Sequence, residues 1–355
     1  MSGRLKLRRG IVVDEMPLTV EVEGERREAW ADTALLGEMR VGDEVVVNTA
    51  ALDLGLGSGG FDVVHVNLTR GLEGKAEGGE HVMKLNYTSL QHPISPIEQS
   101  GCNAFDSYDM SNALHPTFPV LVLSLHGHLA PAAWAAAQAA EAGGGKPKIG
   151  YVQTGGGALP GSFSRDVAEL RERDLLCGHI TAAPAYGGER EALSVAGALD
   201  AAVAELDWDA ALVGPGPGII GSDTRLGHGG MAALDNAHAA LSLGFPTLLS
   251  PRLSRADPRE RHRGVSHHTL TVLELLLAPV EVAVPAGEEE IVASLEVASA
   301  GRHRLQVGGA DFDGYAATGL PVWTMGRSLD EDPLFFAAPL AAGGVLAGAA
   351  LRREG

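Results

Sequence analysis

Arg252, Arg255, Arg259, Arg261 and Arg263 lie in one short run, with His262 inside it and His267 and His268 directly behind it. The chain as a whole carries a formal net charge of −18, so this concentration of positive charge stands out. Arginine offers planar donor forks that match carboxylate and phosphate oxygens. Histidine exchanges a proton near neutral pH. Behind the run, TLTVLELLLAP reads as an apolar helix that Ser266 is placed to cap, putting His267 and His268 in its first turn. A helix N-terminus favours an anion and disfavours a protonated imidazole, so both histidines are expected to be neutral. The residues expected to hold a compact anion are Arg259, Arg261, Arg263 and Ser266, with His267 or His268 as acid or base. The alternative is structural: Asp257 and Glu260 can pair with neighbouring arginines. Arginine-rich stretches also serve subunit interfaces, which leaves a homo-oligomer open.

Three further loops are rich in Gly, His, Ser and Thr. In SLHGHLAP, His126 and His128 follow an apolar run; continued strand alternation would put them on one face, and the plainer reading is local hydrogen bonding at a helix entry. In QTGGGALPGSFS, Gly155, Gly156 and Gly157 can present backbone N–H groups as an anion-binding nest, or simply make a tight turn. Ser162 or Ser164 would cap the following helix. In GPGPGIIGSDTRLGHGG, Gly216, Gly218 and Gly221 formally match the dinucleotide-binding glycine pattern. Pro217 removes a donor from that loop, and the helix is postponed by SDTRLGHGG, so dinucleotide binding is a minority reading, in which Arg252 would suit a 2′-phosphate. Without that reading, the segment is a long loop carrying Asp223, Thr224, Arg225 and His228, which is costly in chain entropy unless used. Asp223 would orient the base or bind a metal. A metal site would need three ligands drawn from His126, His128, Asp223, His228, His267 and His268.

The elements that must position these loops fall into two parts. Residues 1–80 contain GIVVDE, LTVEVEG, DEVVVNTA and FDVVHVNL, short alternating runs separated by turn signals, which predict a small N-terminal β-barrel of SH3-like or OB-like type. Residues 81–355 repeat a plan of buried strand, polar turn and Ala-rich helix, which predicts a Rossmann-like, mostly parallel α/β domain. VEVAVP and HRLQVGG read as later strands with VASLEVASA helical between them, and LPVWTMGRS as a lead into the last helix. Ligands in such sheets bind beyond the C-terminal strand ends, where the four loops would meet.

Composition limits the partners. An acidic chain with one basic cluster is unsuited to tracking nucleic acid or an anionic membrane surface. Cys102 and Cys177 match no metal or redox spacing, and the basic N-terminus has no apolar signal core, so a cytoplasmic setting is expected. PLFFAAPLAAGGVLAGAAL approaches a membrane span in length, but it is mostly Ala and Gly and is interrupted by Pro339, which favours a buried helix over an anchor.

The motifs GEHVMKLNYTSLQ, YVQTGGGALPGSFSR, GPGIIGSDTRLG and DPRERHRGVSHHTLT resemble a bacterial family catalogued as domain of unknown function 3866, over nearly the full chain. The resemblance implies a soluble bacterial protein of similar architecture and no particular reaction. The family pattern has Asp where this chain has Gly155, so a carboxylate role there does not carry over.

The functional expectation is a pocket for a small anionic metabolite, phosphorylated or carboxylated, with hydrolysis or group transfer as the chemistry. Two alternatives stand beside it: a metal-dependent hydrolase, and a non-enzymatic metabolite sensor or oligomeric interaction protein. The sequence names no cofactor.

Overall fold

The fold is described from a computed structural model over residues 4–57, 59–74, 80–99 and 117–352. Cys102 lies outside the described residues, as does part of the Gly-rich stretch after Arg70. The chain divides into two compact units, Met1–Glu80 and His81–Gly355.

In the first unit, β1 (Leu7–Glu15), β2 (Leu18–Val22), β3 (Glu25–Trp30), β4 (Glu44–Asn48) and β5 (Asp62–Asn67) close in the order β1-β2-β3-β5-β4. Strand β1 pairs with both β2 and β4, and β3 runs parallel to β5. Five strands in this order make a Greek-key barrel of the OB-like rather than the SH3-like kind. Alternation turns Val12, Val20, Val45, Val47 and Val64 inward. One-turn helices α1 (Thr33–Leu36) and α2 (Ala50–Asp53) sit in the connections. Strand β3 has no signal in the sequence, because ERREAW is mostly charged. Barrel closure needs its main chain, and Arg27 is neutralised by Asp53 and Asp62 at 2.7 and 2.5 Å.

The second unit opens with the hairpin β6 (Val82–Lys84) and β7 (His92–Ile94). Its centre is an eight-stranded parallel sheet built from β8 (Val120–Leu123), β9 (Ile149–Thr154), β10 (His179–Ala182), β11 (Arg190–Ala192), β12 (Ala210–Pro215), β13 (Thr247–Ser250), β16 (Glu281–Pro285) and β17 (Arg304–Gly308). The order is β11-β10-β9-β12-β8-β13-β16-β17. The central strands are apolar on both faces. In β8, Val120 and Val122 enter one core while Leu121 and Leu123 enter the other.

The first of these cores also holds residues of α5 (Val195–Ala204), α6 (Ala232–Ser242), α7 (His267–Leu275) and α8 (Glu289–Ser299). The second holds residues of α3 (Leu129–Ala142), α4 (Arg165–Glu172), α9 (Phe312–Ala316) and α10 (Pro333–Leu351). Strand β8 therefore feeds a helix on one face, and its neighbour β12 feeds a helix on the other. The strand ends open a crevice at that switch point. Two small ladders complete the unit: β14 (Leu253–Ser254) with β15 (Gly264–Val265), and β18 (Trp323–Thr324) with β19 (Arg327–Ser328).

Helix α10 continues through Pro339 rather than breaking there. Among the described residues it is the helix long and apolar enough to cross a membrane, and 72% of its most apolar window is buried. It packs on α3 so closely that a Cβ at Gly343 would lie 2.2 Å from the Ala132 carbonyl oxygen.

Candidate functional site: an arginine and histidine pocket at the strand ends

A cavity of about 440 Å³ opens at the switch point. Its wall takes Leu125, His126 and Gly127 from the loop after β8, and Pro217 to Gly221, Asp223, Thr224 and His228 from the loop after β12. The loop after β13 and its helix add Arg252, Arg259, Arg261, His262, His267 and His268. Asp166 of α4 and Trp323, Thr324 and Met325 complete it.

Three of the four expected loops thus converge, and the fourth does not. Gly155 and Gly156 line a separate, smaller pocket, and a Cβ at Gly157 would lie 2.0 Å from the Gly216 carbonyl oxygen. A Cβ at Gly216 would in turn sit 2.2 Å from the Ala158 carbonyl oxygen. These glycines let two loops interlock, so Gly157 and Gly216 face backbone where the sequence predicts a ligand contact. Gly218 and Gly221 do border the cavity. The helix after this loop starts only at Ala232, well past the glycines, which removes the dinucleotide geometry.

The arginine run is a loop pinned at its base. Leu253 pairs with Val265 and Ser254 with Gly264, which adopts φ +64. Its hub is Asp257, fully buried, whose carboxylate accepts from Arg252 at 3.1 Å and from the Arg259 side chain twice at 3.0 Å. Burial works to raise the Asp257 pKa, but hydrogen bonds from the Arg259 side chain and backbone, with the charges of Arg259 and Arg252, outweigh it and hold the carboxyl well below its usual range. Arg252 is buried too. Desolvation pulls its pKa down to about 10 against the pull of Asp257, and its Nε has no hydrogen-bond partner among the described residues.

Arg263 turns away from the cavity and donates to the Asp257 main-chain oxygen at 2.9 Å. Arg225 pairs with Glu274 on the surface. Asp223 is exposed, adopts φ +59 and is bound by Arg261, so it orients no histidine. Thr224 borders the cavity while its hydroxyl accepts from the Gly227 amide at 3.0 Å.

Four imidazoles form the floor. Ser266 caps α7, accepting the His268 amide at 3.2 Å and bonding His262 Nδ1 at 2.7 Å. Arg252 donates to His268 Nδ1 at 3.3 Å, which puts the His268 proton on Nε2. His228 donates from Nε2 to the Arg225 carbonyl at 2.9 Å, so Nδ1 carries a lone pair, and it is buried without a partner among the described residues. The rings of His228 and His268 stack. Burial first, then neighbouring arginines and histidines, lowers all four pKa values, His262 to about 3 and His268 to about 2. The four are neutral at pH 7. His267 is the half-exposed one and has no side-chain hydrogen bond among the described residues.

His126 and His128 diverge, because β8 ends at Leu123 and a 3₁₀ turn replaces the expected strand continuation. His126 bonds Ser164 Oγ at 2.8 Å and the Pro215 carbonyl at 3.2 Å, and His128 bonds Ser250 Oγ at 2.9 Å. These partners are remote in sequence, not local. Ser164, rather than Ser162, caps α4 by accepting the Val167 amide.

Sequence reasoning missed Asp166 and the Trp323–Met325 segment. Asp166 stands 3.8 Å from His126 Nε2, and burial raises its pKa while His126 opposes the rise. Its only sequence signal is its place in the first turn of α4, which is also where acidic residues are routine.

No curated protein and no solved structure gives a match. The profile of the family described as "Protein of unknown function (DUF3866)" matches residues 28–343, spanning the barrel from β3 onward and nearly all of the α/β unit. The chain therefore belongs to the DUF3866 family.

Proposed function

We propose that the pocket binds a small phosphorylated or carboxylated metabolite through Arg252, Arg259 and the neutral histidines, with hydrolysis or group transfer as the reaction class. The observation that carries this reading is the convergence of Arg252, Arg259 and Arg261 with His228, His262, His267 and His268 on one cavity. Among the described residues Arg252 Nε and His228 Nδ1 are buried without a partner, a cost of about 1–3 kcal/mol each that agrees with a site built for a ligand. An anion answers the guanidinium, and a hydrogen phosphate O–H or a ligand hydroxyl can donate to a neutral imidazole. Arg261 stands at the rim, where release from Asp223 would free it for the ligand. His267, neutral and half-exposed, is the group suited to accept a proton, and Asp166, with its raised pKa, is suited to give one.

Thermal shift with inorganic phosphate, sulfate and dicarboxylates tests this. A bound anion raises the midpoint, and Arg259→Ala is expected to weaken binding by about 1.5–3 kcal/mol, the range for a lost charged hydrogen bond. No shift with any anion overturns the reading.

A metal-dependent hydrolase is the second reading, and one observation favours it. Ligand atoms of His228, His267 and His268 lie within 4.8 Å of one another. The stacking of two of these rings and the surrounding arginines weigh against it. A non-enzymatic sensor would use the same anion contacts without turnover. The partner is a small anion in either case, and a homo-oligomer is compatible with both.

A further inference from the structure

The cavity has two chemically unlike ends. The floor is arginine and histidine. The rim carries Trp323 and Ile220, whose residues are 63% and 77% exposed although both line the cavity. Scattered exposed apolar residues are ordinary, but a wide aromatic at the mouth of a polar pocket, with an aliphatic residue on the same wall, is the usual build of a small-ligand site.

Trp323 is also held in place. It sits on the β18–β19 hairpin, whose two turn residues, Met325 and Gly326, adopt φ +46 and +76. Both in the left-handed region is the tight hairpin geometry, and it is rare for a residue such as methionine. Three contacts tie this hairpin to the pocket. Arg252 reaches Met325 Sδ at 3.6 Å. Arg327 donates to Asp332 at 3.0 Å and stands 3.5 Å from Asp257, the hub that also holds the floor arginines. A Cβ at Gly127 would lie 2.8 Å from Thr324 Oγ1, so the hairpin rests directly on the loop after β8. The carboxylate that positions the anion-binding guanidinium thus also anchors the element carrying the indole.

We infer that the ligand is an anion bearing a flat ring, its phosphate or carboxylate on the arginine and histidine floor and its ring stacked on Trp323. This rests on the anion reading and adds the chemical class of the remainder of the ligand. Aromatic and heteroaromatic phosphate monoesters fit that description.

The probes are phenyl phosphate, methyl phosphate and cyclohexyl phosphate, which share a phosphate head group and differ in the ester group attached to it. Binding to the full chain is measured by calorimetry, with tryptophan emission recorded alongside. Wild type is expected to bind phenyl phosphate on the order of tenfold tighter than methyl phosphate, the scale of one stacked ring, and to prefer it over cyclohexyl phosphate. Phenyl phosphate is expected to quench emission. Trp323→Ala should bring the phenyl-to-methyl ratio towards one, and Trp323→Phe should keep most of it. The exposed position makes loss of fold a minor concern, and circular dichroism checks it. If methyl phosphate binds but the wild-type ratio is near one, or the ratio survives in Trp323→Ala, the ring-stacking inference is overturned and the anion reading stands. If none of the esters binds and no phosphate, sulfate or dicarboxylate shifts the midpoint, both fall together.

Discussion

The rings of His228 and His268 lie parallel, with centroids 3.5 Å apart and planes 6° from alignment. An imidazole lone pair lies in the ring plane, and a bound transition metal sits along it at about 2.0–2.1 Å. Parallel planes this far apart share no point that satisfies both rings. Two neutral rings stack comfortably, whereas two imidazoliums would repel, so the stack agrees with the lowered pKa values of both. Zinc or cobalt is therefore expected to leave the unfolding midpoint unchanged, and cobalt to give no tetrahedral absorption. An intense cobalt band lost in His228→Ala would reverse this and restore the metal reading.

Stability should fall with acid. His128, His262 and His268 are buried, and their pKa values are lowered from 6.5 to about 3, about 3 and about 2. Below pH 6.5 the unfolded chain binds protons there that the folded chain does not. Each group then adds a slope of up to about 1.4 kcal/mol per pH unit, with stability present above pH 6.5 and lost as pH falls towards 3. Thermal midpoints at pH 7, 6 and 5 should fall steadily, and His128→Asn, outside the cavity wall, should flatten the slope. A flat profile in wild type would show that these histidines charge freely in the folded state.

Anion binding should take up protons. An anion favours the charged form of His267, the half-exposed imidazole, so its pKa rises in the complex and affinity rises as pH falls from 8 to 6, whereas His262 and His268 start too low to charge in that range. Sulfate suits the test because its own charge is constant over that range. Calorimetry in two buffers of different ionisation enthalpy reads the uptake directly. Proton release, or none, would place the anion away from His267.

Asp257 is expected to be the most sensitive carboxylate in the α/β unit. Asp257→Ala leaves Arg252 buried and uncompensated, for a loss of about 3–5 kcal/mol. The paired variant Asp257→Ala with Arg252→Met should recover part of that stability while abolishing anion binding. Chemical unfolding of the two variants checks this, and equal stability of both would mean that the pair is not coupled.

Gly157→Ala and Gly216→Ala should destabilise without touching the cavity. Each added Cβ meets a carbonyl oxygen at 2.0 or 2.2 Å, so backbone must move. A loss above about 1 kcal/mol is expected, on the scale of overpacking. A change in anion affinity at unaltered stability would return these glycines to the ligand.

The sequence by itself determined the two-part plan, because alternation in residues 1–80 and continuous apolar strands later are local periodicities. It also determined the cap at Ser266, which follows from a helix N-terminus, whereas the histidines behind it are neutral chiefly because tertiary packing buries them. It did not reveal β3, whose charged residues become a strand only when barrel closure demands one more. Tertiary structure alone decided which cations face the cavity. Arg252, Arg259, Arg261 and Arg263 are chemically alike in the sequence. The burial of Asp257 turns two inward as one unit, Asp223 holds the third at the rim, and a main-chain oxygen takes the fourth. Trp323 gave no signal, because an indole between turn residues acquires meaning only when a hairpin far downstream lands on the same strand ends.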